Sequence, residues 1–426
     1  MHVVRGYKTE LDLNNEERTA CLKHAGAARF AYNWGLARSI EAYRTTGKRP
    51  TAIDLHKQLN ALKPTDFPWM YEVSKCAMQE ALRDLNTAYR NFFRRVALKK
   101  QGLWRGKLGF PTMKKKSKAI GSFRLTGSIK VFSDAVQLPR LGRLRLYEHD
   151  FIPPDAKVLS ATVSEQAGRW FVSIQVEEEY EKPPPTATTA IGVDLGIKLL
   201  ATCSDGMTFE NPRALKSAQK RLRRLERQKS RRTKGGKNRK KTCRKLAKQH
   251  ARVANIRKDA AHKLTSYLSK NHALVAIEDL HVAGMLKNHK LAQAVSDSNF
   301  GEIRRQLEYK ASWQSVHLVI IDHWFASSKT CSGCGWVDED QDLSDRTFIC
   351  QECGLGMDRD LNAAINILHE ALRTTGSFSE SHAYGESSSG LVSGSGETAL
   401  VEIGTNLHLG MSYMSKYWRT EDDPHR

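Results

Sequence analysis

The sequence has no run of about 18 apolar residues, so no transmembrane helix is expected. Its opening, MHVVRGYKTELDL, lacks the apolar stretch of a secretory signal, so a cytoplasmic chain is expected. Acidic residues are scarce where basic ones are dense. From Arg213 to Lys258 there are 21 Lys+Arg against one acid, Glu226, and Arg90 to Lys118 holds 11 basic residues and no acid. Nearly free of acid, these blocks lack the i,i+4 pairs that would relieve self-repulsion on a solvated helix. A polyanionic partner supplies the missing charge, and nucleic acid is the natural one. The formal net charge of +22 and the pI near 9.7 point the same way. Outside one cluster, cysteine is isolated: Cys21, Cys76, Cys203 and Cys243 read as free thiols in a reducing compartment.

What is present bounds the fold. A hydrophobic content of 40% excludes a wholly disordered chain, and 426 residues suggest about two to four domains. Met1 to Lys8 reads as a strand. Residues 13–98 read as mostly helical, with Phe30, Trp34, Leu36, Ile40 and Tyr43 on one face and Ala77, Leu82, Leu85, Tyr89 and Phe92 on another. Alternation in Gly142–Leu146, Val158–Val163 and Arg169–Val176 predicts a β-rich barrel or sheet. Pro183-Pro184-Pro185 marks a linker. A strand–helix pattern runs from Ala190 to about Leu372, and the Gly/Ser-rich tail beyond is expected to be disordered. The larger basic block predicts a helical hairpin broken at Lys234-Gly235-Gly236-Lys237, with an apolar seam of Leu215, Leu222, Leu225, Leu246, Val253, Ile256 and Leu264. Its cationic face, with Lys229, Arg231, Arg232, Lys237, Arg239, Lys240 and Lys241, is the expected contact to a nucleic-acid backbone.

Four cysteines form Cys331-x2-Cys334-x15-Cys350-x2-Cys353. Two Cys-x-x-Cys turns at this separation suit one tetrahedral Zn²⁺ better than two redox motifs or two disulfides. Four thiolates leave no open position, so such a site is structural. Asp194 interrupts the apolar strand Thr189–Lys198, and Glu278 ends the apolar run Ala273–Ile277. A buried acid is costly unless it is paired or binds a cation. A third acid would complete a site for two Mg²⁺ or Mn²⁺ ions and phosphodiester attack. Asp360, Asp358 and Asp322 all compete for that place. Three unrelated acids at element ends remain the alternative.

Taken together, Gly-Val-Asp194-Leu-Gly-Ile, Ile-Glu278-Asp-Leu, the four-cysteine ribbon and Asp-Arg-Asp360-x-Asn-Ala-Ala resemble the split RuvC core of the TnpB family. Ala27–Trp34, Arg304–Lys310 and Ser327-Ser328-x2-Cys331 are similar to family segments as well. That family comprises transposon-encoded, RNA-guided DNA endonucleases related to type V CRISPR effectors. The resemblance implies an α+β multidomain fold: a β-barrel wedge domain (1–10 and 103–183) with an inserted helical recognition domain (11–102), then an RNase H-like RuvC α/β domain (189–328 and 357–373). The basic hairpin (213–264) and a zinc ribbon (329–356) would be insertions in the last, and 374–426 an unmatched tail. It implies Asp194, Glu278 and Asp360 as catalytic Mg²⁺ ligands, and Lys75, Gln79 and, less closely, Thr126 as readers of a short DNA motif flanking the target. Lys75 and Gln79 stand at i,i+4, on one helical face. The implied partners are a guide RNA from the transposon end and double-stranded target DNA, with one RNA per monomer in the prokaryotic nucleoid. A cleavage-dead RNA-guided repressor, a strand-transfer transposase and a guide-independent nuclease are the rival readings.

Overall fold

The computed structural model describes residues 2–116, 121–181, 183, 188–341 and 345–375. The Gly/Ser-rich tail beyond Thr375 and most of the triproline linker lie outside the described residues. The described chain forms two compact units, His2–Glu165 with Arg169–Glu178, and Glu179 onward with Gln166–Gly168.

The first unit comprises β1 (His2–Asp12), α1 (Asn15–Thr46), α2 (Ala52–Leu62), α3 (Lys75–Lys100), β2 (Ser122–Leu125), β3 (Lys130–Val131), β4 (Ala135–Leu138), β5 (Gly142–Leu146), β6 (Lys157–Gln166) and β7 (Arg169–Glu179). Capping boxes start two of its helices. Asn14 and Glu17 exchange side-chain-to-backbone bonds at α1, and Thr51 and Asp54 do so at α2. Gly47, at φ 68°, closes α1 in the left-handed conformation. Ala77, Leu82, Leu85, Tyr89 and Phe92 of α3 are buried, the face that their spacing predicts. The strands form one sheet in the order β2-β6-β7-β1-β5-β4-β3. A barrel was the expectation. Among the described strands β2 and β3 stay edges, and the sheet is open rather than closed on itself. Closure depends on stagger and tilt between distant strands, which local alternation does not encode.

The second unit comprises β8 (Ala190–Asp194), β9 (Leu199–Cys203), β10 (Thr208–Glu210), α4 (Ala214–Ser230), α5 (Lys237–Asn271), β11 (Leu274–Glu278), α6 (Val282–Met285), α7 (Ala292–Ser298), α8 (Phe300–Gln314), β12 (His317–Ile321), β13 (Thr347–Ile349), β14 (Gly356–Asp358) and α9 (Arg359–Thr375). Its main sheet runs β10-β9-β8-β11-β12. β8, β11 and β12 are parallel neighbours, while β9 and β10 fold back antiparallel. β11 is covered on both faces. Val275 and Ile277 pack with Leu264 and Leu268 of α5 and Ile303 and Leu307 of α8. Leu274 and Ala276 pack with Ile367 and Ala371 of α9. This explains its unbroken apolar run. α4 and α5 form the basic hairpin around Ala218, Leu222, Leu225, Leu246 and Val253. Ile256, expected in that seam, is 37% exposed. No described helix is long and apolar enough to cross a membrane.

Candidate active site

Asp194 is the last residue of β8 and Glu278 the last of β11. The parallel register pairs Val193 with Ile277, so the two acids leave adjacent strand tips at one end of the sheet. α9 supplies the third. It lies so close on β8 that a Cβ at Gly192 would stand 2.1 Å from the Ala364 carbonyl oxygen and 2.7 Å from the Leu368 nitrogen. Only glycine permits this approach. The first turn of α9, one turn before Ala364, thereby brings Asp360 to the strand tips. Asp194, Glu278 and Asp360 line one cavity of about 960 Å³, which also has Lys198, Arg213, Lys216, Lys290, Arg346 and Arg359 in its wall.

The rival third acids are engaged elsewhere. Asp358 Oδ1 accepts from the Asp360 and Leu361 N–H groups at 2.9 and 3.2 Å and so caps α9. Asp322 Oδ1 accepts from Trp324 N–H at 2.9 Å and lies 3.3 Å from His323 Nδ1. Neither residue lines the cavity.

Burial pushes the Asp194 carboxyl up to about 8, reinforced by Glu278, Asp360 and, least, the α9-capping Asp358, while Arg359 opposes the shift. Burial also raises Glu278, against a hydrogen bond donated by the Ser327 hydroxyl. Arg359 Nη2 stands 3.9 Å from Asp360 Oδ1. Hard oxygen donors beside a buried carboxyl that Glu278 and Asp360 push up fit a divalent cation, whose charge would relieve that repulsion. The three carboxylates belong to no cluster gathered within 4.8 Å. Oxygens sharing one ion at about 2.1 Å would lie within roughly 4.2 Å of each other, so this is no tight single-ion cage.

The four ribbon thiols do form such a cluster, with all four sulfurs within 4.8 Å. Cys331 Sγ lies 3.6 Å from Cys353 Sγ, and Cys334 Sγ 3.5 Å from Cys350 Sγ. Tetrahedral Zn–S bonds of about 2.3 Å require roughly 3.8 Å, so a metal ion fits. Each knuckle closes on a glycine at positive φ, Gly335 at 81° and Gly354 at 73°. Burial works against the Cys331 thiolate, but N–H groups of Cys334 and Gly333 and the neighbouring thiols lower its pKa to about 7.

Two buried asparagines join ribbon and acids. Asn362 accepts from Ser332 N–H at 3.0 Å and donates to Thr330 O at 2.7 Å. Asn366 donates to Ser327 O and Thr330 O. Both lie on α9, two and six residues after Asp360.

Residues 173–289 match the family model described as "Probable transposase", 300–367 that of a "Cas12f1-like, TNB domain", and 1–48 that of a "Helix-turn-helix domain". A protein of Streptomyces pristinaespiralis named "Putative RNA-guided DNA endonuclease" is 37% identical over 374 residues, covering 87% of this chain and 90% of that protein. The chain belongs to the TnpB family. A second TnpB-family relative, InsQ of Escherichia coli K12, carries the same descriptive name and is 33% identical over 386 residues, 86% of this chain and 92% of its own. In fold, the chain resembles the Cas12f1 protein of a solved complex with guide RNA and target DNA, at TM-score 0.51 and 13% identity, over 86% of this chain and 98% of that one. The mixed, multidomain α+β architecture is shared with that effector.

The residues expected to read a TnpB flanking motif stand together. Lys75 is exposed at the start of α3, Gln79 follows one turn later, and Cys76 Sγ donates to the Thr126 carbonyl at 3.4 Å. The expected backbone contacts divide into two groups. Arg231, Lys237, Lys240 and Lys241 are exposed, and Lys229 is half-buried. Arg232 and Arg239 are half-buried and turn inward. Arg232 donates to Asn238 O and the Thr242 hydroxyl, and Arg239 to Lys229 O and Arg232 O, which staples the hairpin turn.

Sequence reasoning missed three positioning residues. Ser327 holds Glu278. Buried Asp297 accepts from Leu215 N–H, Lys216 N–H and Arg257 Nε, fixing the start of α4 against α5. His24 Nε2 accepts from Ser74 N–H while its Nδ1 bonds Ala20 O, which anchors the first turn of α3 and requires a neutral ring. Their partners lie 49 to 82 residues away for Ser327, Ser74 and Leu215, so no local pattern marks these contacts, although Ser327 stands in the family-like segment Ser327-Ser328-x2-Cys331.

Proposed function

We propose that this protein is a transposon-encoded, RNA-guided, metal-dependent DNA endonuclease with one RuvC-type active site. The observation that carries the reading is the convergence of Asp194, Glu278 and Asp360 in a cavity walled by cationic side chains. In this reading the three acids hold Mg²⁺ or Mn²⁺, which supplies an activated water and charge neutralisation at the scissile phosphate. Lys198, Lys216 and Arg213 bind the strand's phosphates and orient it for in-line attack. Ser327 keeps the Glu278 carboxylate turned into the cavity, and Arg359 balances part of the acidic charge. The cysteine ribbon binds Zn²⁺ and fixes α9 through Asn362 and Asn366.

The remaining parts follow from the TnpB relationship. Residues 1–10 and 103–183 act as the wedge and 11–102 as the recognition domain. Residues 189–328 and 357–373 form the nuclease domain and 329–356 the ribbon. Lys75, Gln79 and Thr126 read a short duplex motif beside the target, and guide pairing reads the sequence. Lys229, Arg231, Lys237, Lys240 and Lys241 contact the backbone of guide RNA or heteroduplex. The working particle is one protein with one transposon-end RNA, in the cytoplasm at the nucleoid.

Purification from a host carrying the element, sequencing of the bound RNA and cleavage of a plasmid programmed by that RNA test the proposal. Guided, Mg²⁺-dependent cutting that vanishes in Asp194→Ala is expected. Unguided cutting would favour a structure-specific nuclease or transposase. Guided binding without cutting would favour a repressor. An Asp194→Ala protein that still cuts would overturn the active site.

A further inference from the structure

Trp324 is 82% exposed, the most exposed large apolar side chain among the described residues. It sits on the short loop between β12 and the ribbon, and the loop holds it there. Asp322 Oδ1 accepts from the Trp324 N–H at 2.9 Å, and the Asp322 carbonyl accepts from Phe325 N–H at 3.1 Å. The indole leans on the His323 ring, with centroids 4.5 Å apart and planes at 40°.

The loop is also a wall of the acidic cavity. His323, Phe325, Ala326, Ser327 and Ser328 all line it, and Ser327 bonds the catalytic candidate Glu278. Trp324 is not itself among the residues that line the cavity; it stands in the chain between His323 and Phe325, which are, beside a lining that carries Lys198, Lys216 and Lys290. Cationic side chains beside an aromatic platform are the chemistry that binds single-stranded nucleic acid: the cations track phosphates, and the ring takes a base face of any sequence.

We propose that Trp324 is the stacking platform for one unpaired base of the DNA strand that enters the carboxylate cavity. The role rests on the nuclease reading, deepens it, and makes Trp324 a positioning residue for the scissile phosphate. Asp322 and His323 serve to present it.

The test uses the RNA-loaded full chain, as wild type, Trp324→Ala and Trp324→Phe. Its substrates carry single abasic nucleotides near the cut in the displaced strand, where guide pairing is untouched. Trp324→Ala should cleave an intact target about tenfold more slowly in single turnover, and Trp324→Phe should stay near wild type. At one position an abasic nucleotide should slow the wild type about tenfold and leave Trp324→Ala unaffected. A second arm measures binding of short single-stranded DNA without guide or magnesium. Trp324→Ala should lose about tenfold in affinity, and the difference between intact and abasic strands should vanish. Wild-type speed and affinity in Trp324→Ala would overturn the proposal and leave the face to a protein partner. So would losses from variant and abasic site that multiply. A wild type that binds single strands through Trp324 yet shows no guided cutting would sink the nuclease reading alone.

Discussion

Gly192→Ala is the most exacting perturbation of the site, because the added methyl meets main chain rather than a side chain. Its Cβ would stand 2.1 Å from Ala364 O, 2.7 Å from Leu368 N and 2.9 Å from Leu368 Cβ. Real Cβ contacts essentially never fall below 3.0 Å, so α9 must lift by at least 0.9 Å (3.0 − 2.1) at Ala364. No neighbouring truncation can absorb this, since two of the three obstacles are backbone atoms. Overpacking of this kind costs about 1–3 kcal/mol of stability. The larger effect is expected in catalysis. Asp360 rides on the first turn of α9, and a shift of about 1 Å at a reacting constellation costs about 100-fold, or roughly 2.7 kcal/mol. Gly192→Ala should therefore cleave a guided plasmid about 100-fold more slowly in single turnover, with a higher Mg²⁺ requirement. Guided DNA binding should remain, because the substitution lies under α9 and away from the basic hairpin. Near-wild-type cleavage at unchanged Mg²⁺ demand would refute the idea that the seating of α9 on β8 sets the position of the third acid.

Burial, with Glu278 and Asp360, pushes the Asp194 carboxyl up to about 8, so a divalent cation held by the three acids would displace a proton below that pH. Mg²⁺ affinity, measured by titration calorimetry, should weaken about tenfold for each pH unit below 8, and a flat profile from pH 6 to 8 would contradict the assignment. The folded protein holds a proton that the unfolded chain releases near pH 4, so without Mg²⁺ the melting temperature should fall as pH rises from about 4 to 8. Cys331→Ser should lose zinc and, by releasing the knuckle held by Asn362, lower both the melting temperature and cleavage; an unchanged zinc-to-protein ratio would remove Cys331 from the ligand set. Replacing exposed Arg231, Lys237, Lys240 and Lys241 by Gln should weaken guide RNA binding and reduce its log–log salt slope by up to about 3, at about 0.7 per charge. Replacing inward-facing Arg232 should instead destabilise the hairpin turn while moving the slope less, which melting and binding curves would separate.

Much of the outline was legible because its signals are local. An acid closing an apolar strand, as at Asp194 and Glu278, conflicts with its own neighbours and draws attention within five residues. The cysteine spacing declares its turns in the same way, and the structure gathers those four thiols. Choosing among Asp360, Asp358 and Asp322 was not a local matter. It depends on Asp358 and Asp322 having their carboxylates engaged by nearby N–H groups and on Gly192 seating α9. The division of the hairpin arginines was hidden for a related reason: Arg232 and Arg239 resemble Arg231 in sequence, and only the path of the turn sends them inward. The open sheet of the first unit illustrates the limit most plainly, since period-two alternation fixes which side chains face the core and is silent on whether the edges meet.

The order of the parts along the chain matters for how the enzyme is made. β8 and β11 leave the ribosome well before α9, and α9 carries both Asp360 and the two asparagines that grip the ribbon. A nascent chain thus builds its cationic surfaces first and completes the acidic centre last. If Asp360 is the third metal ligand, as proposed, a polypeptide interrupted between Asn271 and Arg359 would carry the basic hairpin and lack one of the three acids, an inert product instead of an unrestrained nuclease.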